Sequence, residues 1–200
     1  MPGSFTKLPR SFYLRPTLIV ARELIGKHLV RRVDNVLLVG KIVEAEAYLG
    51  EKDPASHAYR GLTKRNEVMF REGGYLYVYF TYGMHFCCNV VTEREGKAGA
   101  VLLRAVEPID GIEVMKQNRG FTADKVDDCN LTNGPAKLCE AFGLTREQNG
   151  IDLLGSEIYV TQGEHIQKSQ IISATRIGIK NGAEKKWRFY IRNNSFVSRP

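Results

Sequence analysis

Alternation of apolar and polar positions is the most regular feature of this 200-residue chain. In HLVRRV (28–33) and VLLVGKIVEAEAYLG (36–50), separated by Asp34-Asn35, a period of two predicts a hairpin with a long second strand. Residues 75–81 repeat the pattern. Tyr75, Tyr77, Tyr79 and Thr81 fall on one face of that strand, and Leu76, Val78 and Phe80 on the other. Tyr82-Gly83 reads as a turn, after which HFCCNVVTE (85–93) pairs back and GAVLLRAVEP (99–108) follows. EIYVTQG, ISATRIGIK and WRFYIRN supply the last strands. Helical spacing is confined to short stretches: LIVARELIGK after an expected N-cap at Thr17, a turn at NEVMF, residues 109–118, and 131–143 with Asn133 as cap, Pro135 in the first turn and Gly143 as stop. The polar segments 51–65 and 119–130 read as loops, the second as flexible. No repeat or linker divides the chain. The expected fold is a single α+β domain over 1–200, built on a curved, mainly antiparallel sheet, with 1–16 a less ordered leading segment.

Charge narrows the class of partner. The net charge is +7 and the pI near 9.3, with the excess spread along the chain, which favours a polyanion. The cysteines at 87, 88, 129 and 139 include no C-x-x-C pair, and vicinal Cys87-Cys88 in an apolar strand read as reduced packing residues. The histidines at 28, 57, 85 and 165 are dispersed, and no metal site is expected. The first residues lack a signal-type apolar region, and no apolar run approaches the ~20 residues that cross a bilayer. A soluble intracellular protein, cytoplasmic or nucleoid-associated, is the expectation.

Five polar positions stand out as candidates for chemistry. Alternation places Ile42, Glu44, Glu46 and Tyr48 on one strand face, with the two carboxylates about 7 Å apart. Acids in such a strand need partners or a cleft. Salt bridges to Arg31, Arg32 or Lys41 would satisfy them; so would a glycosyl-transfer site in which one acts as general base beside an aromatic platform. Arg104, a lone cation in VLLRAVEP, is the natural partner of Glu46 or Glu44. His57 lies in a loop among small residues, which suits either solvent exposure or close approach to a ligand. Asn89 interrupts an apolar strand, and its amide needs partners, for which lining a pocket is one solution.

Taken in order, IVEAEAYLG, DPASH, TKRNEVMF, YLYVYFTYGMHFCCNVV, VLLRAVEP, NGPAKLC, RIGI and WRFYIRN closely resemble the alkyladenine type of 3-methyladenine DNA glycosylase, from about Leu18 to Val197. The resemblance implies a cofactor-free, metal-free monofunctional enzyme that removes 3-methyladenine, 7-methylguanine, hypoxanthine or ethenoadenine from double-stranded DNA and leaves an abasic site. It matches Glu46 to the base that deprotonates the attacking water, Arg104 to a residue holding that water, and the Ile177 carbonyl to a further contact with it. Tyr48 and His57 match one side of the base pocket and Tyr79 the other, while the His57 backbone amide matches the reader of the purine six-position. Asn89 matches a steric filter against guanine, and Tyr82 the wedge that replaces the flipped base, with Met84 beside it at the DNA. Arg65, Lys137 and Arg176 are expected to meet phosphates, and Glu44 is assigned no catalytic role. Such an enzyme acts as a monomer without a membrane. The rival readings are a catalytically inactive damaged-DNA binding module, a carbohydrate glycosidase using Glu44 and Glu46, and a metal-dependent nuclease.

Overall fold

The computed structural model describes residues 6–121 and 128–199. Its organising element is β2 (Val36–Tyr48), thirteen residues long and buried along most of its length. Every strand pairing is antiparallel. The first half of β2 forms the predicted hairpin with β1 (His28–Val33), and its second half pairs with β8 (Arg188–Ile191). Its other edge carries β5 (Ala100–Asp110), followed outward by β4 (His85–Val91) and β3 (Leu76–Thr81). β6 (Ile158–Thr161) extends the sheet beyond β1, and β7 (Ile171–Ala174) pairs with β8. The α+β architecture on an antiparallel sheet is as the alternation predicts.

One face of the sheet holds the main core. Ile42, Ala45, Ala47, Leu76, Val78, Cys88, Val90, Val101 and Leu103 pack there with Val20, Leu24, Leu138 and Phe142. The last four belong to or adjoin α2 (Thr17–Glu23) and α5 (Pro135–Ala141). Gly40 lets that layer come close: a Cβ there would meet Val106 Cγ2 at 2.7 Å and the Phe142 ring at 3.2 Å. The opposite face carries Tyr77 and Tyr79 packed with Ala58, Val68 and Met69 from the segment between β2 and β3.

Several local expectations are corrected. Thr17 is the first residue of α2 and caps nothing; its Oγ1 donates to Glu93 and shares a hydrogen bond with Thr92, fixing the helix to the end of β4. Asn133 does not cap α5, whose N-cap is Gly134, and its Oδ1 instead accepts from Lys137 Nζ. β5 runs on to Asp110, so α3 begins only at Ile112 and ends at Asn118. A further short helix, α4 (Cys129–Thr132), precedes α5. Residues 122–127 of the expected flexible loop lie outside the described residues. The leading segment is built into the fold from Thr6: α1 is Arg10–Tyr13, and Leu8 and Tyr13 are buried. Residues 1–5 lie outside the described residues.

Strict alternation fails at one place in β2. Ile42 pairs with Val106, Glu44 with Ala105 and Ala45 with Leu103, so Val43 and Arg104 are each an extra residue in their strand. These paired bulges turn Ile42 into the main core, away from the glutamates with which alternation grouped it. Bulges re-aim side chains, and opposite Ile42 the shift likewise puts Val106 in the main core, leaving Glu44 and Arg104 bonded to each other on the other side.

Candidate active site

Tyr77, Asn89, Leu102, Glu46 and Arg188 are register partners on the successive strands β3, β4, β5, β2 and β8. Antiparallel pairing brings such partners to one face. At about 4.8 Å per strand, the row spans roughly 14 Å from Tyr77 to Glu46. A cavity of about 260 Å³ opens over Tyr77, Asn89 and Leu102 of this row, lined also by Tyr48, His57, Tyr79 and Arg104. That is a little below the range of sites for drug-sized ligands and fits a single planar base-sized group.

Glu46 is fully buried. Its Oε1 accepts from the Ile177 backbone N–H at 2.8 Å and faces Arg104 Nη1 at 3.4 Å; its Oε2 accepts from the Tyr48 hydroxyl at 2.8 Å. The Ile177 amide thus binds Glu46 itself, a contact the sequence did not suggest. Burial pushes the Glu46 carboxyl above the usual carboxylate range, against the opposing pull of Arg104, the Ile177 amide and Tyr48. Glu44 is equally buried but bonded differently, to Arg104 Nε and Arg188 Nη1, both at 2.9 Å, and to Ser198. None of the partners suggested by proximity in sequence is used. Arg31 donates to the Phe142 carbonyl, and Lys41 pairs with Glu107 and Glu164.

His57 and Tyr79 lie ring edge to face at 4.5 Å, and Tyr79 stacks with Tyr77 at 5.5 Å, so these three rings form one wall. Tyr48 lines the same cavity from β2. The Tyr77 hydroxyl lies 3.0 Å from His57 Nδ1. Burial and then Arg65 lower the His57 pKa. A neutral ring accepting the Tyr77 proton at Nδ1 carries its own hydrogen on Nε2. Asn89 is buried, and its Nδ2 donates to the Tyr77 carbonyl at 3.1 Å.

Arg176 is also corrected. Its side chain has no solvent exposure: it forks onto Asp53 Oδ1 and Oδ2 at 2.8 and 2.5 Å and donates to the Ala47 carbonyl. The guanidinium lies 4.7 Å from the Tyr48 ring and 5.0 Å from Trp187. It is therefore not placed to reach a phosphate. Sequence reasoning missed Asp53 altogether, because 123 positions separate it from its partner and only the fold joins them.

At the tip of the β3–β4 hairpin, Tyr82 is 85% exposed and Met84 71%. Tyr82 and Gly83 both have positive φ, 52° and 70°, and the Met84 N–H returns to the Thr81 carbonyl, which makes a type I′ turn. An aromatic ring in the position that asparagine usually takes is backbone strain placed at an exposed site. Arg65 is exposed near the same tip, with Nη2 3.5 Å from the Phe80 carbonyl, and Lys137 is half-buried on Asn133. Among the described residues, no cluster of three or more His, Cys, Asp or Glu could hold a metal, and no helix is long and apolar enough to cross a membrane.

Residues 11–195 match the family model described as Methylpurine-DNA glycosylase (MPG). Curated relatives carrying the name "Putative 3-methyladenine DNA glycosylase" are similar across nearly the whole chain. The protein from Carboxydothermus hydrogenoformans is 51% identical over 193 residues, 96% of this chain and 98% of that protein. The one from Clostridium acetobutylicum is 48% identical over 200 residues, 96% and 97% of the two chains. That from Prosthecochloris aestuarii is 49% identical over 191 residues, 95% and 90%.

Proposed function

The chain belongs to the methylpurine-DNA glycosylase family and is a DNA glycosylase, and from that premise we propose that it draws alkylated or deaminated purines out of duplex DNA and hydrolyses the N-glycosidic bond with water activated by Glu46. The observation that carries this reading is the bonding of Glu46. An ionised carboxylate offers about four lone-pair sites; the Ile177 amide, Arg104 and Tyr48 occupy three. One remains to accept a proton from water. The water oxygen bonds to the sugar C1′ as the C1′–N bond breaks, its proton passes to Glu46, and the electron pair leaves with the purine. The product is an abasic site with the strand intact.

The other residues take roles consistent with that chemistry. Extrusion costs a few kcal/mol, which Tyr82 offsets by stacking in the vacated space, with Met84 next to it. The extruded base lies between Tyr48 and the His57–Tyr79 wall. Electron-rich rings favour a cationic methylated purine by roughly 0.5–2 kcal/mol. Neutral hypoxanthine gains less from them and leaves less readily, so it depends more on Glu46. Asn89, held by Tyr77, crowds a purine two-amino group.

Single-turnover excision from a hypoxanthine-containing duplex, in EDTA, tests the reading. Wild type should release the base, with strand breaks only after alkali, and Glu46→Gln should bind the duplex without excision. Normal turnover by Glu46→Gln removes the general-base assignment. Tight binding by wild type with no release of either hypoxanthine or a methylated purine overturns the activity in favour of a binding module.

A further inference from the structure

Glu44 sits two residues from the proposed base and is held more completely. Its Oε1 accepts from Arg104 Nε, Arg188 Nη1 and the Ser198 hydroxyl, and its Oε2 from the Ser198 backbone N–H at 2.7 Å. Three of these four donors converge on Oε1 and two of them are guanidiniums, so what Glu44 does passes through a neighbour. That neighbour is Arg104. Its Nε is fixed on Glu44 and its Nη2 donates to the Ser198 hydroxyl at 3.3 Å, which leaves Nη1 directed at Glu46 Oε1. A guanidinium is a rigid plane, so fixing two of its nitrogens sets the third.

We propose that Glu44 and Ser198 are positioning residues for hydrolysis, holding Arg104 so that its free nitrogen orients the Glu46 carboxylate. The inference rests on Glu46 being the general base. Arg188 extends the device: its Nη1 bonds both Glu44 and the Arg199 carbonyl, and its Nε donates to the Thr175 carbonyl, two residues before the Ile177 amide that also holds Glu46. Two carboxylates and two guanidiniums thus balance in charge inside the sheet.

Ser198→Ala removes the hydroxyl bridge between Glu44 and Arg104 and leaves the backbone donor. Single-turnover excision of hypoxanthine should slow by roughly 10-fold to 100-fold, the range for an ångström-scale misplacement of a catalytic group, while affinity for the lesion duplex is unchanged. Ser198→Thr should restore the rate. Glu44→Gln keeps the shape and removes the charge. The charged groups facing Glu46 are Glu44 from its own strand, Arg104 from β5, Arg188 from β8 and Arg176 from the loop before Ile177; Tyr48 adds its hydroxyl. The Glu44 charge opposes ionisation of Glu46, so the acid limb of the pH–rate profile should move to lower pH in Glu44→Gln. Wild-type excision by Ser198→Ala overturns the proposal, as does an unmoved acid limb in Glu44→Gln. Should Glu44→Gln not fold, the Ser198 pair decides alone. Glu46→Gln measured alongside separates the two levels: if it is inert while Ser198→Ala is normal, only the positioning role fails; if it excises normally, the general-base reading fails.

Discussion

Glu44 and Glu46 have the same residue type, strand and burial, yet are held differently: two guanidiniums and both Ser198 donors hold Glu44, whereas one guanidinium, the Ile177 amide and the Tyr48 hydroxyl hold Glu46. Burial raises the Glu46 pKa, and a general base must be ionised. Excision of hypoxanthine should therefore fall as pH drops through a value above the ordinary carboxylate range. Single-turnover rates on a hypoxanthine duplex, measured from neutrality downward, should show that limb; a rate still flat within the ordinary carboxylate range would mean that Glu46 is not the titrating base. The Asp53–Arg176 pair is a second residue-scale device. It ties the loop bearing His57 to the one bearing Ile177 and backs the Tyr48 ring. Asp53→Asn leaves a buried guanidinium without its counter-charge, for which a loss of about 3–5 kcal/mol is expected in urea unfolding. A loss under ~1 kcal/mol would show that Arg176 finds another partner or water.

Elements were legible in the sequence where one rule governs them. A period of two located the hairpin and the tyrosine face, because the two faces of the sheet meet different surroundings along most of each strand. It could not show the paired bulges at Val43 and Arg104, which depend on which strands become neighbours. The caps assigned to Thr17 and Asn133 failed for a related reason: both side chains bond elsewhere, Thr17 to residues distant in sequence. Identification of Glu46, Arg104 and Tyr82 as site residues came from motif resemblance; the sequence alone left Glu44 and Glu46 indistinguishable. The turn bearing Tyr82 permits a test at this scale. Asparagine tolerates positive φ better than tyrosine, so Tyr82→Asn should leave stability unchanged or raise it by up to ~1 kcal/mol. Affinity for a lesion duplex should fall by roughly 1–3 kcal/mol, the worth of one base–aromatic stack. Equal affinity in the two proteins would remove the wedge.

Across the whole molecule, a net charge of +7 makes electrostatics a large part of DNA affinity, but total charge does not say which cations take part. Burial does. Arg176 is internally neutralised by Asp53, and Arg104 and Arg188 are paired with Glu44 and Glu46. These guanidiniums hold the cavity together and have no free charge for a phosphate. Arg65 and Lys64 lie exposed in the segment whose Arg65 reaches the Phe80 carbonyl at the base of the Tyr82 tip, beside the surface where DNA must sit if Tyr82 enters it. Each cation that neutralises a phosphate adds about 0.9 to the slope of log affinity against log salt. Arg65→Gln and Lys64→Gln should each lower that slope by about one on damaged and undamaged duplex alike. Arg176→Gln should leave the slope at the wild-type value and lower stability. A wild-type slope in both surface variants would move the phosphate track to another face, and a reduced slope in a folded Arg176→Gln would mean that the Asp53 pair opens when DNA binds.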